Sequence, residues 1–366
     1  MTSSPSQEIP KNLLVAEEYE SFAQARLASD IFAYIAGGSG SEFTLRANRQ
    51  AFQSLMLQQR VLVDCRQGNT TCEFLGQSFR HPIFLAPVAF QTLVHPEGEL
   101  ASARAAQALE AGMICSTLSS FSLEEIAQHH PDGLWFQLYF QAERAQTRDL
   151  LQRAERAGYR ALVVTLDTPL QAGSLRARRA GFTMPSSVVA TNLARYSVPP
   201  QVTLMPEQSV IFQGMMNEAP TWGDLEWLLA ETRLPVIAKG VTHAEDAKRL
   251  AAMGVSAMVV SNHGGRALDG MPASLQSLRC VRDALGAGYP IFLDGGIRSG
   301  SDIFKALASG ANAVLIGRSF LYALAVAGPL GVAHVIKLMR EELELCMALA
   351  GCPTLSDISL DALYLP

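Results

Sequence analysis

The stretch PIFLDGGIRSGSDIFKALASGANAVLIGR, residues 290–318, decides the fold. It opens with a short apolar run, continues with an amphipathic segment closed by a glycine, and ends in a second apolar run. Continuously apolar strands that alternate with helices are typical of a parallel sheet that is buried on both faces. The stretch therefore predicts two parallel strands joined by a helix.

Eight apolar runs of this kind recur along the chain. They are IFLAPVA at 83, MICST at 113, LWFQLY at 134, ALVVTLDT at 161, PVIAKGV at 235, AMVVSNHG at 257, PIFLDGG at 290 and AVLIGR at 313. Amphipathic segments at helical spacing lie between them. An open doubly wound sheet commonly has about five or six parallel strands, whereas a closed barrel has eight. We predict an α/β fold, a (β/α)8 TIM barrel with an N-terminal helical extension and a long β4–α4 loop.

One interval between the runs is much longer than the others. Successive runs begin 21 to 33 residues apart, except for 74 residues between the fourth and the fifth. This interval contains the β4–α4 loop, about residues 170–220, which is rich in Pro, Ser, Gln and Met and is predicted to lie over the barrel mouth, where barrels place active sites. We predict one domain over 1–366, with a helical segment over 1–82, the barrel over 83–351 and a C-terminal tail over 352–366.

The composition predicts a soluble globular protein and excludes several partners. Of the 366 residues 49% are hydrophobic and 17% charged, and the net charge is −5. Without a Lys/Arg block, no nucleic-acid partner is expected. The six cysteines lack CxxC spacing, which predicts no metal site and a reducing compartment. The N-terminus lacks an apolar leader, and GPLG at 328–331 interrupts the longest uncharged stretch, so we predict a cytoplasmic protein without membrane partners.

The last two strands end in glycine and arginine, which indicates an anion site. Gly296 and Arg298 follow the seventh strand, and Gly317 and Arg318 follow the eighth. Glycines let backbone N–H groups approach an anion, and barrels frequently hold a phosphate after these two strands. We predict a phosphate-bearing ligand here; simple turn glycines are the alternative.

The ends of three other strands carry side chains suited to acid–base chemistry. The sixth strand ends in SNHGGR, which places His263 beside Arg266, and the fourth ends at Asp167. This set provides a base, a carboxylate to orient it and a guanidinium for an anionic substrate. Lys239, at the end of the fifth strand, could stabilise negative charge that develops in the mouth, although a surface lysine is the alternative.

Long blocks of the chain resemble the FMN-dependent α-hydroxy-acid oxidase and dehydrogenase family, which includes glycolate oxidase and lactate oxidase. They include YIAGGSGSEFTLRANRQAF (34–52), FQLY (136–139), TLDTP (165–169), SNHGGRALDG (261–270) and DGGIRSGSDIFKALASGANAVLIGR (294–318), in family order. The resemblance implies FMN as cofactor and oxidation of an L-2-hydroxy acid to the 2-keto acid. It also implies O2 as the acceptor, reduced to H2O2, and a homo-oligomer, namely a tetramer.

The resemblance also implies a role for each matching residue. His263 would be the active-site base, and Asp167 would stabilise its imidazolium. Arg266 and Tyr34 would hold the substrate carboxylate, and Tyr139 would contact the substrate hydroxyl. The phosphate of FMN would bind at Gly296, Arg298, Gly317 and Arg318, and the rest of FMN at Asp294, Ala89, Ser116, Gln137, Thr165, Lys239 and Ser261.

Two positions depart from the family pattern. Ser174 stands where the family usually carries a second active-site arginine, and a lost charge-assisted hydrogen bond costs about 1.5–3 kcal/mol. One of the nearby arginines, Arg176, Arg178 or Arg179, could reach inward, but we favour a solvated basic face. Leu118 replaces an aromatic residue and is predicted to shape the substrate pocket.

Two further functions stay open at this point. One is a dehydrogenase that passes electrons to a quinone or a protein acceptor, because some family members use an apolar β4–α4 segment to meet a membrane. The other is a flavin-binding homologue whose activity has changed because its second arginine is absent.

Overall fold

The computed structural model describes residues 8–170, 172–197 and 203–364. Its centre is a closed barrel of eight parallel strands. Strands β1 to β8 are, in chain order, Ile83–Leu85, Gly112–Cys115, Leu134–Leu138, Leu162–Thr165, Val236–Val241, Ala257–Val260, Ile291–Asp294 and Ala313–Ile316. Each strand pairs with the next and β8 pairs with β1, so the predicted (β/α)8 barrel is confirmed. All eight strands coincide with the apolar runs of the sequence.

Helices follow the strands and cover the outside of the barrel. They are Gly98–Ala108, Leu123–Ala127, Arg144–Arg156, Leu175–Arg179, Trp222–Glu231, Ala244–Ala252, Ser274–Leu285, Gly300–Ala308 and Arg318–Ala350. Glycines end several of them, and Gly254 shows why, because its φ of 93° lies in the left-handed region that other residues avoid. The amphipathic segments of the sequence therefore form helices where their periodicity predicts them.

The first part of the chain before the barrel is helical, as predicted, whereas the part after Ser54 contains short strands. A 3-10 turn at Ala16–Glu18 leads into the helices Tyr19–Arg26, Ser29–Ala36 and Phe43–Ser54. After them, Met56–Leu57 pairs in an antiparallel manner with Leu363–Tyr364 near the other end of the chain. The N-terminal segment and the C-terminal tail are thus joined on the barrel surface.

An aromatic cluster fills the barrel near the N-terminal ends of its strands. Phe84, Trp135 and Phe292, each the second residue of its strand, are fully buried. The hairpin of Cys72–Phe74 and Gln77–Phe79 packs against them, with the Phe79 and Phe84 ring centroids 4.6 Å apart. Burial of each large side chain contributes about 1.5–3 kcal/mol. This packing closes one end of the barrel and leaves the C-terminal strand ends for a site.

The long interval after β4 contains local structure of its own. Beyond the helix Leu175–Arg179 lie a 3-10 turn at Thr191–Leu193 and a π-helical segment at Val210–Met215, before the helix Trp222–Glu231. Residues 171 and 198–202 of the predicted loop lie outside the described residues. The described parts place Leu175–Arg179 against the N-terminal helix Ser29–Ala36.

Among the described residues, one helix, Arg318–Ala350, has the length and hydropathy of a membrane span. However, 78% of its most apolar window is buried inside the protein. It is also interrupted, because Ala327 and Gly328 have non-helical backbone angles just before Pro329, where the sequence predicts a break. Its apolar character is that of a core helix.

Candidate active site

A cavity of about 430 Å³ lies at the C-terminal ends of the strands. Residues from every part of the predicted site line it. They are Tyr34, Ala89, Ser116, Leu118, Tyr139, Lys239, His263, Arg266, Asp294, Gly296, Arg298, Gly317 and Arg318. The other four predicted residues, Asp167, Gln137, Thr165 and Ser261, lie behind this lining and bond to it or to one another. The structure thus brings together residues that span most of the chain.

His263 and Asp167 form a hydrogen-bonded pair at the cavity. The Nδ1 atom of His263 lies 2.9 Å from Oδ1 of Asp167. With Nδ1–H donated to the carboxylate, Nε2 is the nitrogen that can accept a proton. Burial alone would raise the pKa of Asp167, but the charges of Lys239 and His263 outweigh it and hold that pKa below its ordinary value. The carboxylate is therefore ionised when the imidazole becomes charged.

The loop that carries His263 has an unusual backbone. His263, Gly264 and Gly265 have φ values of 57°, 61° and 77°, which place three successive residues in the left-handed region. A side chain on Gly265 would put its Cβ 2.7 Å from the backbone of Leu45, so glycine is required there. A non-glycine residue in this conformation is strained, and such strain is concentrated at functional sites.

A reciprocal amide pair anchors this loop to the N-terminal segment. Asn48 donates to Asn262 over 2.8 Å, and Asn262 donates back to Asn48 over 2.8 Å, with both side chains buried. The sequence reasoning missed both residues, because no motif spacing connects positions 214 residues apart. The pair fixes the residue immediately before His263.

Lys239 is a buried cation held between carboxylates. Its Nζ lies 3.4 Å from Oδ2 of Asp294 and donates to the hydroxyl of Ser261 over 3.1 Å. Burial would lower the pKa of Lys239, but Asp294 and Asp167 raise it above its ordinary value, so the ammonium stays charged. Oδ1 of Asp294 has no hydrogen-bond partner among the described residues, which leaves it for a bound molecule.

Gly240 lets Asp167 approach the end of β5. Gly240 has a φ of 99°, and a Cβ there would lie 2.5 Å from the side chain of Asp167. The pairing of β5 with β6 also shifts register at this point, between Lys239 and Val241. A glycine inside a strand commonly marks such a close approach, but the sequence reasoning did not assign Gly240 to the site.

The far end of the cavity fits a phosphate group. Arg318 is half-buried and, among the described residues, donates only to the carbonyls of Ile35, Gly37 and Gly264, and no described carboxylate is within ion-pair distance of it. Burial, and then the charge of Arg266, lower the pKa of Arg318, so a nearby anion would be strongly favoured. The adjacent N-terminus of the helix Arg318–Ala350 adds backbone N–H groups. The residues present therefore fit the phosphate of FMN.

One arginine, Arg266, lines the part of the cavity where the sequence predicts the substrate carboxylate. Arg266 donates to the carbonyls of Tyr34 and Gly37 over 2.8 and 3.1 Å, and its guanidinium carbon lies 5.0 Å from the Tyr34 ring. Ser174 does not line the cavity, because its hydroxyl caps the helix Leu175–Arg179. Arg176 forms an ion pair with Glu42.

The other two arginines of that helix also stay out of the cavity. Arg178 and Arg179 are exposed. The solvated basic face predicted for these arginines is therefore observed, and no described arginine takes the place of the missing one.

Apolar and phenolic groups complete this end of the cavity. Leu118 lines it together with Val88 and Phe90, and Phe90 adopts the left-handed conformation with a φ of 54°. Burial raises the pKa of Tyr139, and Thr168 donates weakly to its hydroxyl over 3.5 Å. The Tyr139 phenol therefore stays protonated and can donate to a substrate oxygen.

A barrel whose cavity joins the glycines and arginines after β7 and β8 to a His–Asp pair has the groups that a flavin-dependent oxidoreductase needs, and comparison with known proteins agrees. The family model of FMN-dependent dehydrogenases matches residues 23–365. The chain belongs to this family. FMN is its cofactor, and it is an FMN-dependent 2-hydroxy-acid oxidase.

Individual relatives cover almost the whole chain. An L-lactate oxidase of Alicycliphilus denitrificans is 54% identical over 98% of this chain and 99% of that protein. An L-lactate oxidase of Nostoc sp. is 46% identical over 95% of this chain and 97% of that protein. A crystal structure of mandelate oxidase with (S)-2-phenylpropionate aligns with a TM-score of 0.87 and 39% identity, covering 96% of this chain and 98% of that one.

Proposed function

We propose that the chain oxidises a short L-2-hydroxy acid of the lactate or glycolate type to the 2-oxo acid and passes the electrons to O2, which becomes H2O2. The observation that carries this proposal is the His263–Asp167 pair, 2.9 Å apart, beside Arg266 in one cavity. The similarity to L-lactate oxidases over nearly the full chain supports the substrate type. The balanced reaction is hydroxy acid plus O2 to oxo acid plus H2O2.

His263 acts as the base in this proposal. Its Nε2 accepts a proton from the substrate as two electrons leave the substrate carbon, and Asp167 stabilises the imidazolium that forms. When bound, FMN supplies the two-electron acceptor. The Tyr139 phenol donates to the substrate hydroxyl oxygen and holds it close to His263.

Tyr34 and Arg266 hold the substrate carboxylate. The guanidinium of Arg266 is already bound to backbone carbonyls on one side, so its remaining N–H groups are directed by that anchorage. The clamp has a single arginine because Ser174 stands where the family usually carries the second one. Leu118 and Val88 line this part of the cavity and would contact the substrate side chain.

The cofactor would be held along the cavity from phosphate to ring. The phosphate would bind at Gly296, Arg298, Gly317 and Arg318, the ribityl chain near Asp294, and the ring at Ala89, Ser116, Gln137, Thr165, Lys239 and Ser261. Lys239 would face the ring edge that gains negative charge on reduction, which its fixed ammonium stabilises. We also propose that the protein is cytoplasmic and that it forms a homotetramer. Light scattering on the purified protein would test the number of subunits.

The experiment is a substrate panel read in two ways. Lactate, glycolate, mandelate and longer 2-hydroxy acids are mixed anaerobically with the yellow holoenzyme, and flavin bleaching is followed by absorbance. Oxygen uptake and H2O2 formation are then measured in air. We expect bleaching and rapid oxygen uptake with L-lactate or glycolate.

Two outcomes of this panel would overturn parts of the proposal. Bleaching followed by negligible reoxidation in air would overturn O2 as the acceptor and favour a quinone or a protein. Absence of bleaching by every acid in the panel would overturn the substrate class.

A further inference from the structure

The long loop after β4 touches the N-terminal segment of the site at three places. The rings of Phe182 and Tyr34 stack face to face, with centroids 4.2 Å apart and an interplanar angle of 13°. Arg176 forms an ion pair with Glu42. Gly37 packs so closely against this loop that a Cβ on it would lie 2.6 Å from the hydroxyl of Ser174. Of these three contacts, the stacking of Phe182 on Tyr34 is the one that involves a side chain lining the cavity.

The Tyr34 side chain is half-buried and packs through its ring, against the core and against two neighbouring side chains. Its hydroxyl makes no hydrogen bond to any residue that the structure describes, so it is free to meet a ligand. The guanidinium of Arg266 lies over the ring, 5.0 Å from the centroid. Because Phe182 already covers one face of the ring, Arg266 takes the other face. The orientation of the phenol therefore depends on Phe182 on one side and on Arg266 on the other.

We propose that Phe182 is a positioning residue for the carboxylate clamp of Tyr34 and Arg266, and thereby sets the affinity for the substrate. The inference rests on the proposed role of these two residues in holding the carboxylate. Without the Phe182 ring, Tyr34 can rotate away from Arg266, and the hydroxyl that completes the clamp is lost for part of the time. The consequence is large in this chain because Ser174 provides no second guanidinium.

The test compares Phe182→Leu with Phe182→Tyr. Leucine keeps an apolar side chain but removes the stacked ring. The free energy of such a ring pair corresponds to a factor of about three to ten in an equilibrium constant. We expect KM for L-lactate to rise by about three- to tenfold in Phe182→Leu, with kcat and flavin content within about twofold of the wild type. Phe182→Tyr, which keeps the ring, should restore KM. Phe212→Leu is the matched control, because Phe212 is an exposed phenylalanine of the same long loop and does not line the cavity.

A double-mutant cycle separates positioning from general structure. Tyr34→Leu removes the ring on which Phe182 acts, so Phe182→Leu should add less than about twofold to KM in that background. Additive effects would overturn the proposal, and so would a parallel loss of kcat and flavin in Phe182→Leu that Phe182→Tyr does not rescue. A KM unchanged by Phe182→Leu would overturn it as well.

The inference can fail separately from the proposed function. If no hydroxy acid is oxidised, binding of pyruvate is measured instead from the change it causes in the flavin absorbance spectrum. A three- to tenfold rise in the Kd for pyruvate in Phe182→Leu would then support the positioning role, and an unchanged Kd would overturn it.

Discussion

Two regions around the cavity, the strand ends and the contact between the long loop and the N-terminal segment, are stabilised by different kinds of ion pair. At the strand ends, Lys239 and Asp294 form an ion pair with side chains only 4% and 10% exposed. Where the long loop meets the N-terminal segment, the ion pair of Arg176 and Glu42 has side chains 45% and 14% exposed. A buried charge pair is costly to break, whereas an exposed pair is worth about 0–1 kcal/mol.

This difference indicates that the strand ends and the long loop have different roles, the first in the reaction and the second in substrate affinity. The groups that we propose handle protons and charge lie on or just beyond the C-terminal ends of β4 to β7, where neighbouring strands leave little freedom. In our proposal, Tyr34 of the carboxylate clamp is positioned by Phe182 of the long loop, close to the partly solvated ion pair of Arg176 and Glu42. The barrel end should therefore tolerate almost no change, while the loop can alter substrate affinity at small cost to stability.

The largest effect is expected from His263→Ala at the barrel end. Loss of the base should slow anaerobic flavin reduction by about 10²–10⁴-fold while FMN remains bound. Stopped-flow absorbance with L-lactate measures the rate, and the yellow colour reports the cofactor. His129→Ala, away from the cavity, is the matched control. Bleaching at an unchanged rate would remove His263 from this role.

Lys239→Met should break the buried charge network. It leaves Asp294 and Asp167 without their cation, and removal of one partner of a buried pair costs about 3–5 kcal/mol of unfolding free energy. Urea denaturation measures this loss. A change below about 1 kcal/mol would mean that the network adds little to stability.

Lys239→Met should also move the acid limb of the kcat/KM profile to higher pH. The pKa of Asp167 in the folded protein is below the ordinary carboxyl value of 3.8. Its pairing with His263 is therefore fully present above pH 3.8 and is lost only as the pH falls through the lower folded pKa. Without Lys239, burial raises that pKa, so the acid limb of kcat/KM should move to higher pH. An acid limb at the wild-type position would contradict the part assigned to Lys239.

Gly240→Ala tests the close approach at the end of β5. The new methyl group would lie 2.5 Å from Asp167, and the residue would keep a φ of 99°. We expect a loss of about 1–3 kcal/mol in thermal unfolding and a slower flavin reduction, because Asp167 must move away from His263. Gly254→Ala is the control, since its φ of 93° is similar but nothing lies within 4 Å of the added methyl. Equal rates of reduction in the two variants would contradict a specific effect on Asp167.

The smallest effect is expected at the loop, from Arg176→Gln. This change removes an exposed ion pair and should raise KM less than fivefold, which corresponds to about 0.2–1 kcal/mol. KM in low and high salt provides the measurement, because salt should reduce the wild-type advantage. A rise in KM of more than about tenfold would contradict the small contribution assigned to this exposed pair.

The sequence could predict the barrel and the strand-end residues because both follow local rules. Continuously apolar runs mark strands buried on two faces, and a parallel barrel then places the residues after each run, such as His263 and Lys239, around one mouth. The order of strands also follows once the barrel closes. Eight matching strands needed no long-range information beyond that closure.

Contacts between distant segments could not be predicted in the same way. Two contacts depend on how the long loop and the N-terminal helices pack against the barrel. They are the stacking of Phe182 on Tyr34 and the pairing of Asn48 with Asn262. Neither contact has a periodicity or a fixed spacing. The departure at Ser174 was visible in the sequence, but its use as a helix cap appears only in the folded chain.

The Asn48–Asn262 pair has a consequence for synthesis of the protein. The two residues are 214 positions apart, and ribosomes add about 5–20 residues per second. Asn262 is therefore synthesised about 10–40 s after Asn48. Until then the helix Phe43–Ser54 has no loop to anchor. A nascent chain therefore has neither this amide pair nor the His263–Asp167 pair until its sixth barrel strand and the loop after it have been made.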